Sequence, residues 1–301
     1  MDVVSFFLSP SFYFGIIIGV LREGLIYAIA SLGVYITYKI LDFPDMTVDS
    51  SFPLGMSITA VLLILDFPPV LTLFISFFAG ALAGIITGVI HVKFGVRDLL
   101  SGIIVMTALY SINLRIAGRS NLPIFKKPTI FQFDKLLFLG RDIKTLLILI
   151  VIVIICKIVL DYYLKTKNGY LLRSVGDNEK LVTALAKDKG NVKIIGLAIA
   201  NGFVAFAGSI CTHDRGFFEI SAGTGTLVIA VANVIIGMQL LKRIKCIKPT
   251  TAVIIGSIIY RACISIALSF GLEPRDLKLI TASLLLMILV MNSLKRKSKV
   301  A

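Results

Sequence analysis

The chain has 301 residues, 57 % of them hydrophobic, and a formal net charge of +14 because 31 lysines and arginines outnumber 17 acidic residues. A soluble domain is only about 45–50 % apolar, so this composition excludes a soluble domain and predicts a polytopic membrane protein. The basic residues cluster in short segments between apolar runs, and no RNA-reading or zinc-binding pattern accompanies them, which argues against nucleic acid as a partner.

Nine apolar segments approach the roughly 20 residues that a helix needs to cross a bilayer. In chain order they are 12–38, 48–65, 70–92, 99–117, 143–164, 193–212, 221–241, 250–270 and 277–294. No basic n-region or small-residue cleavage site precedes the first segment, so we expect it to be a retained span. The sequence therefore predicts an all-α membrane protein with about eight or nine transmembrane helices, forming a single domain over residues 1–301.

The segment Asp42–Gly55 is unusual for a membrane boundary because it combines three carboxylates, three hydroxyls and two prolines. One interpretation is a broken or re-entrant helix, whose free backbone groups can hold a polar substrate. The other is an ordinary loop that happens to be acidic. Composition alone leaves both interpretations open.

Glycine recurs every four residues at Gly80, Gly84 and Gly88 within the third span. Small residues at this spacing allow helices to approach closely in lipid, although glycine is also common in membrane spans generally. The pattern predicts a helix bundle and no ligand site.

Charged residues inside apolar segments are costly and are functional candidates by default. Arg22 and Glu23 are adjacent in the first span, so they neutralise each other in part or pair with a neighbouring helix. Lys157 and Asp161 have the i,i+4 spacing of a local ion pair. Arg261 has no local partner, and we expect it either to lie against a carboxylate such as Glu23 or to face a water-filled path.

The distribution of basic residues predicts that the N-terminus is outside and the C-terminus cytoplasmic. In this topology four basic segments are cytoplasmic: 91–97, 165–193, 242–248 and 295–299. The outer loops 66–69, 213–219 and 271–276 are poor in lysine and arginine. The exception is loop 118–144, which is placed outside yet is basic, so it is either a structured external segment or a sign that a preceding span is miscounted.

We find no catalytic or metal-binding constellation in the sequence. His91 and His213 fall at span ends on opposite sides, the four cysteines are scattered without a CxxC, and no phosphate-binding GxxxxGK[ST] loop is present. We therefore expect a protein that is not an enzyme, with no metal and no cofactor bound in this chain.

The most polar segment between two spans is 165–192, which we expect to be a cytoplasmic loop. A turn at Gly176, Asp177 and Asn178 is predicted to cap a short amphipathic helix that continues to Lys189. Such a helix lies on anionic lipid headgroups or inserts into a groove on a soluble partner, and the capped start favours the partner.

Four stretches resemble a known family: Phe43–Gly55, Met106–Pro123, Gly176–Asn178 and Asp276–Ala282. They are similar to the membrane-spanning permease subunits of ABC importers, in the branch related to branched-chain amino acid permeases. More narrowly, they resemble the group for tryptophan or tyrosine-type uptake. The second stretch is long and specific, whereas Gly176–Asn178 alone is a weak signal.

The resemblance implies a type II-like importer bundle in the cytoplasmic membrane of a prokaryote. Its partners would be two cytoplasmic ATPase subunits, an extracytoplasmic substrate-binding protein and a second copy of the permease, all in a lipid membrane. ATP would bind to the ATPase partner. The expected substrate is a small organic solute, an aromatic or branched-chain amino acid above all.

The resemblance also implies two groups of residues in this chain. The residues expected to couple the permease to the ATPase are Gly176, Asp177, Asn178, Glu179, Leu181, Ala184 and Leu185. The residues that we infer as candidates for the translocation path or its outer gate are Asp45, Thr47, Asp49, Ser51, Phe52, Asn113, Arg119, Ser120 and Asn121.

Two other functions compete with this interpretation. An ion-coupled secondary transporter would need coupling-ion ligands at mid-membrane and usually an inverted repeat, and the sequence shows no clear repeat. A membrane enzyme is disfavoured because no catalytic cluster is present.

Overall fold

The computed structural model describes residues 10–132, 140–177, 189–242 and 247–269, together with positions 244, 279, 281–283, 286–287 and 290. Helices dominate these residues. The helices are α1 (Pro10–Val34), which continues as a π-helical turn (Tyr35–Ile40), α2 (Val48–Ile64), α3 (Pro69–Lys93), α4 (Asp98–Ala117), α5 (Arg141–Tyr163), α6 (Lys167–Asp177), α7 (Lys189–Arg215), a 3₁₀ turn (Ile220–Gly223), α8 (Thr226–Leu240) and α9 (Pro249–Ser269). Two short strands, β1 (Asn121–Pro123) and β2 (Phe217–Glu219), complete the described elements.

Within the described residues, seven helices are long and apolar enough to cross a membrane. They are α1 with its π-helical turn, α3, α4, α5, α7, α8 with the preceding 3₁₀ turn, and α9. Helix α2 is apolar but has only 17 residues. The predicted all-α membrane fold is confirmed, and a described helix corresponds to each of the first eight predicted spans. The ninth, 277–294, lies outside the described residues except for isolated positions.

Helices α2 and α7 form the centre of the bundle. Phe52 and Met56 of α2 and Val204 and Ile210 of α7 are fully buried, and α7 packs against α1, α2 and α3. Helix α5 lies at the periphery and exposes large apolar side chains such as Ile158. Apolar exposure on the outside and burial in the centre are expected for a bundle surrounded by lipid.

The glycine repeat of α3 is a helix-packing contact. Gly80 and Gly84 lie directly against the backbone of α7 at Asn201 and Leu197, where any added Cβ would collide with a carbonyl oxygen. Gly88 meets Ile194 one turn further along. The predicted role of these glycines in bundle packing is confirmed.

The short sheet brings distant loops to one end of the bundle. Strands β1 and β2 are antiparallel, with Asn121 opposite Glu219, and the Ile124 N–H donates to the Gly216 carbonyl oxygen at 2.8 Å. Lys127 pairs with Asp66 of the α2–α3 connection at 2.7 Å. We call the end of the bundle that carries these strands the strand end (residues 66–69, 118–132 and 213–219). The opposite end, which contains α6 (Lys167–Asp177), is called the α6 end. The first part of the basic loop is therefore structured beside loops 66–69 and 213–219, two of the loops predicted to be external.

Candidate functional site

The connection between the π-helical turn and α2 runs through the interior of the protein. Its backbone is irregular from residue 42 to residue 47, with a φ of 52° at Asp42. The Phe43 N–H still donates to the Thr37 carbonyl oxygen at 2.9 Å, and both Phe43 and Asp45 are buried. Because α2 begins inside the bundle at Val48, the broken-helix interpretation of this segment holds and the ordinary-loop interpretation does not.

The carboxyl group of Asp45 is fully buried and is held by polar groups. The Thr47 N–H donates to one oxygen at 2.9 Å, and the Asn201 amide donates to the other at 2.6 Å. The Asn201 amide oxygen in turn accepts from the Ser51 hydroxyl at 2.7 Å. Among the described residues, no lysine or arginine forms an ion pair with Asp45. Neutral donors alone thus tie the start of α2 to the middle of α7.

Asp49 joins the start of α2 to the start of α8. Its two carboxylate oxygens accept from the Gly225 N–H at 3.1 Å and the Leu227 N–H at 2.8 Å. Gly225 has a φ of 86° and precedes the first residue of α8, Thr226, which is buried. An acidic side chain at this position satisfies backbone donors that a helix start leaves free and complements the helix dipole. Two helices therefore begin within the bundle, and one carboxylate connects them.

Asn113 and Phe52 bind neighbouring helices to α2. The Asn113 amide donates to the Ser50 carbonyl oxygen at 3.0 Å, and the Ser50 hydroxyl donates to the Met106 carbonyl oxygen at 2.7 Å. The Phe52 ring stacks on Tyr27 of α1 with ring centroids 5.7 Å apart. These contacts fix the position of α2 between α1 and α4.

The predicted path residues fall into two groups in the structure. One group is at the start of α2 and on α4, and its members lie inside the protein: Asp45, Thr47, Ser51, Phe52 and Asn113 are buried, and Asp49 is partly buried. The other group is exposed at the strand end: Arg119, Ser120 and Asn121. The first group holds helices together, and the second is open to solvent. Their assignment to a translocation path stays a prediction.

An exposed polar face of α4 was missed in the sequence. Thr107 and Ser111 are both exposed, one turn apart, and Arg115 follows at the same spacing. Ser221 and Thr224, around the adjacent 3₁₀ turn, are exposed as well, and this turn contacts α4. The i, i+4, i+8 spacing of polar residues on an otherwise apolar helix is the signal that could have revealed this face.

Charged residues of α1 pair with distant helices. Arg22 forms ion pairs with Asp214 at the end of α7 and, at 3.0 Å, with Asp142 at the start of α5. Glu23 accepts from Arg215 at 3.4 Å and forms an ion pair with Arg261 of α9 at 3.1 Å. Of the two alternatives left open for Arg261, the structure shows the contact with Glu23.

Arg261 also lies over the Tyr27 ring, with its guanidinium carbon 4.1 Å from the ring centroid. The aromatic face gives the partly buried guanidinium a second favourable contact inside the bundle.

Lys157 and Asp161 form the predicted local ion pair, at 3.0 Å. Asp161 also accepts from the Thr250 hydroxyl at 2.6 Å and from Lys248 at 3.2 Å, so it connects α5 to the start of α9. This cluster lies at the α6 end and anchors α9 there.

The two histidines lie at opposite ends of the bundle. His91 is in the last turn of α3 and contacts the Val96 carbonyl oxygen at 2.9 Å, whereas His213, near the end of α7, contacts Thr72 of the first turn of α3 at 3.0 Å. They cannot share a ligand. In the described part of the chain, no group of three or more histidine, cysteine or acidic side chains is arranged to hold a metal ion.

The predicted turn at Gly176, Asp177 and Asn178 is wrong for its first two residues. Both lie in the last turn of α6, which ends at Asp177. Leu172 and Val175 of this helix are buried, and Gly176 packs so closely on the carbonyl of Ile40 that a larger residue would collide with it. Close packing, and not turn geometry, explains this glycine. The remaining predicted coupling residues are outside the described residues: Asn178, Glu179, Leu181, Ala184 and Leu185.

Comparison with known proteins identifies the family to which this chain belongs. Residues 16–291 match the family described as the branched-chain amino acid transport system permease component. The chain is 46 % identical over 278 residues to the tyrosine transport system permease protein of Clostridioides difficile, with 92 % of each chain covered. It is 30 % identical over 286 residues to an uncharacterized protein of Rickettsia prowazekii, covering 94 % of this chain and 99 % of the other. No solved structure matches. With its apolar spanning helices, the chain is an integral membrane protein that belongs to the branched-chain amino acid transport system permease family.

Proposed function

We propose that this protein is the permease subunit of an ATP-driven importer that moves an amino acid inward across the cytoplasmic membrane. The energy would come from separate ATPase subunits that bind ATP as the cofactor of the system, since the chain contains no phosphate-binding loop. An extracytoplasmic binding protein would deliver the substrate. The relative from Clostridioides difficile is named for tyrosine, which makes an aromatic amino acid our preferred substrate.

The orientation we propose has the N-terminus outside and the C-terminus in the cytoplasm. The exposed basic residues Lys93 and Arg97 lie at the end of α3 and just after it, and Lys167 and Arg173 lie on α6. The α6 end is therefore the one that the positive-inside tendency assigns to the cytoplasm. The strand end would then face the binding protein.

The single observation that carries the proposal is the packing of α6 against the ends of two long helices. Gly176 lies on the Ile40 carbonyl, and Leu172 reaches Gly196 of α7. A protein that pushes on α6 would therefore push directly on the π-helical turn and on α7. This is the contact that an ATPase needs to drive the bundle between conformations.

From α6 the contact continues into the buried polar segment. Ile40 lies only a few residues before Asp45, which is bonded to Asn201 of α7, and Asp49, which holds the start of α8. Movement of the π-helical turn relative to α7 would change these hydrogen bonds first. We propose that this region of two helix starts is the element that has two arrangements in the transport cycle.

The path would run between two copies of the chain, in a homodimer. Thr107 and Ser111 of α4 and Ser221 and Thr224 by the 3₁₀ turn form an exposed polar face, which is unfavourable against lipid. A second copy facing this surface would enclose it as a polar channel. The start of α2 packs against α4, where the Asn113 amide donates to the Ser50 carbonyl oxygen, and this contact supports placing the path residues near this face.

An ion-coupled transporter is the alternative, and one observation favours it: the carboxyl group of Asp45 is buried without an ion pair among the described residues. A protonated or ion-binding carboxyl at this depth is typical of secondary transporters. However, both oxygens of Asp45 already accept hydrogen bonds, so its present role is structural.

The test is the ATPase activity of the reconstituted complex, with binding protein and substrate added. The variant Asp177→Lys with Leu185→Glu alters the α6 surface and the segment after it, and we expect it to abolish the stimulation of ATP hydrolysis by the loaded binding protein. The control Lys93→Glu reverses one exposed charge at the same end and should leave stimulation intact. Full stimulation in the double variant would disprove the coupling role of this segment.

A further inference from the structure

A cavity of about 440 Å³ lies between α1 and α9 near the strand end. The two helices are in contact at Gly24, whose carbonyl oxygen accepts from the Ser257 hydroxyl at 2.7 Å, and the cavity lies on the strand-end side of this contact. The apolar part of its wall is formed by Ile16, Val20, Ile264 and Leu268. This volume is within the range of pockets that hold small molecules.

The remaining wall of the cavity is charged. Three guanidinium groups and two carboxylates line it: Arg22, Arg215, Arg261, Glu23 and Asp214. The cavity therefore carries an excess of one positive charge. Asp142, which also pairs with Arg22, is not part of the lining, and its side chain is 66 % exposed.

The guanidinium groups in this cavity have more donors than the carboxylates satisfy. Among the described residues, Glu23 is the carboxylate that pairs with both Arg215 and Arg261, and its distance to Arg215 is 3.4 Å, which is long for a charged hydrogen bond. Each guanidinium group carries five N–H donors and Glu23 offers two oxygens, so Arg215 and Arg261 keep donors for one further carboxylate in the cavity that they line.

We infer that this cavity binds the zwitterionic end of a free α-amino acid. The carboxylate of the ligand lies between Arg215 and Arg261, where a guanidinium group can bind it through two parallel hydrogen bonds. The ammonium group lies against Glu23, whose side chain is 43 % exposed. The ligand's side chain lies on the apolar wall.

This inference goes beyond the proposed function, because the cavity lies between α1 and α9 and not on the α4 face proposed for the path. It rests on the proposed function only for the expectation that the ligand is an amino acid. The recognised chemistry is an ammonium group and an anionic group a few ångströms apart. A phosphatidylethanolamine headgroup carries the same pair of charges. The experiment must therefore separate the free amino acid from the lipid.

The first experiment measures equilibrium binding of radiolabelled L-tyrosine and L-leucine to the full chain in nanodiscs made of phosphatidylglycerol alone. Both amino acids should bind and compete with each other, because the site reads the groups that all amino acids share. Tyramine, which lacks the carboxylate, and 3-(4-hydroxyphenyl)propionate, which lacks the ammonium group, should each compete at least about tenfold more weakly.

The second experiment repeats the measurement with variants. Arg261→Gln and Glu23→Gln should each weaken L-tyrosine binding at least about tenfold. The control Lys127→Gln removes an ion pair at the strand end away from the cavity and should bind as the unchanged chain does. If a cavity variant fails to fold, the ligand series on the unchanged chain still decides the question.

Three results would overturn the inference. These are no binding of either amino acid, equal competition by tyramine or by the propionate, and complete loss of L-tyrosine binding when phosphatidylethanolamine is added to the nanodisc. The last would assign the cavity to a lipid headgroup. Binding is measured without ATPase or binding protein, so ATP-driven uptake that persists without binding at this cavity would refute the site alone and leave the proposed function standing.

Discussion

The start of α8 depends on a carboxylate from another helix, so a small change at Asp49 should destabilise the bundle measurably. Its two oxygens hold the Gly225 and Leu227 N–H groups at 3.1 Å and 2.8 Å. Replacing Asp49 with alanine leaves both donors without an acceptor. Replacing it with asparagine keeps one acceptor oxygen and loses the negative charge.

The expected loss of unfolding free energy follows from the two hydrogen bonds that Asp49 accepts. Each buried donor left unsatisfied costs about 1–3 kcal/mol, and loss of a helix cap alone costs about 0.5–2 kcal/mol. Because the site is only partly buried, we expect less than the full penalty for both donors, about 2–4 kcal/mol for Asp49→Ala and about half of this for Asp49→Asn. The charge contributes a further few tenths of a kcal/mol through the helix dipole.

The assay is thermal denaturation of the purified chain in detergent, followed by the loss of the monodisperse peak in size-exclusion chromatography. The matched control is Asp66→Asn, which makes the same chemical change in a side chain that is 74 % exposed and bonded only to Lys127 among the described residues. An exposed ion pair contributes about 0–1 kcal/mol, and asparagine tolerates the φ of 59° at this position.

We expect the highest melting temperature for the control Asp66→Asn, a lower one for Asp49→Asn and the lowest for Asp49→Ala. If both Asp49 variants denature at the temperature of the control, the carboxylate does not hold the start of α8 and the description of this region is wrong.

Three further predictions concern packing, the buried network and the strand end. Gly84→Ala should destabilise the bundle by about 1–3 kcal/mol because its Cβ meets the α7 backbone, whereas Gly15→Ala, which has open space around it, should be neutral in the same denaturation series. Asn201→Leu should cost about 2–5 kcal/mol because it leaves a buried carboxyl and a buried hydroxyl without their partner, and exposed Asn121→Ala should not. Asn121→Cys with Glu219→Cys, in a cysteine-free background, should form a disulfide detectable by gel shift, because paired strand residues lie at bridging distance. Equal stability of Gly84→Ala and Gly15→Ala, or of Asn201→Leu and Asn121→Ala, would contradict the contact described at Gly84 or at Asn201. The absence of a cross-link after oxidation would contradict the pairing of the two strands.

The membrane-spanning helices were predictable because their signal is local. A long run of apolar residues in lipid forms a helix, because a helix pairs its backbone N–H and C=O groups within the segment. The spans of α3, α4 and α5 therefore follow directly from the sequence. The repeat containing Gly84 was also visible, since helix contacts need small residues at fixed spacing. Which helix it contacts was not, because the partner lies more than one hundred residues away in the chain.

The interior of the candidate site was predictable in composition but not in geometry. The polar segment around Asp45 and Asp49 was identified, yet its partners Asn201 and Gly225 are distant in sequence and carry no pattern that announces the pairing. For Arg261 the sequence did suggest Glu23 as a partner, because few carboxylates lie within apolar segments.

The error at Gly176 has a physical cause. Glycine followed by aspartate and asparagine is a strong turn signal in an isolated peptide. In the structure, α6 continues through Gly176 because the absence of a side chain lets the helix rest on the Ile40 carbonyl. Tertiary packing overrides the local preference at this position.

The most direct test of the proposed function is uptake of radiolabelled L-tyrosine into proteoliposomes that contain the permease and its ATPase. The binding protein is supplied outside, and ATP is enclosed. We predict accumulation that requires ATP, the ATPase and the binding protein, and that persists when ionophores collapse proton and sodium gradients. Accumulation by the permease alone, driven by an imposed ion gradient, would contradict the proposal and identify the chain as an ion-coupled transporter.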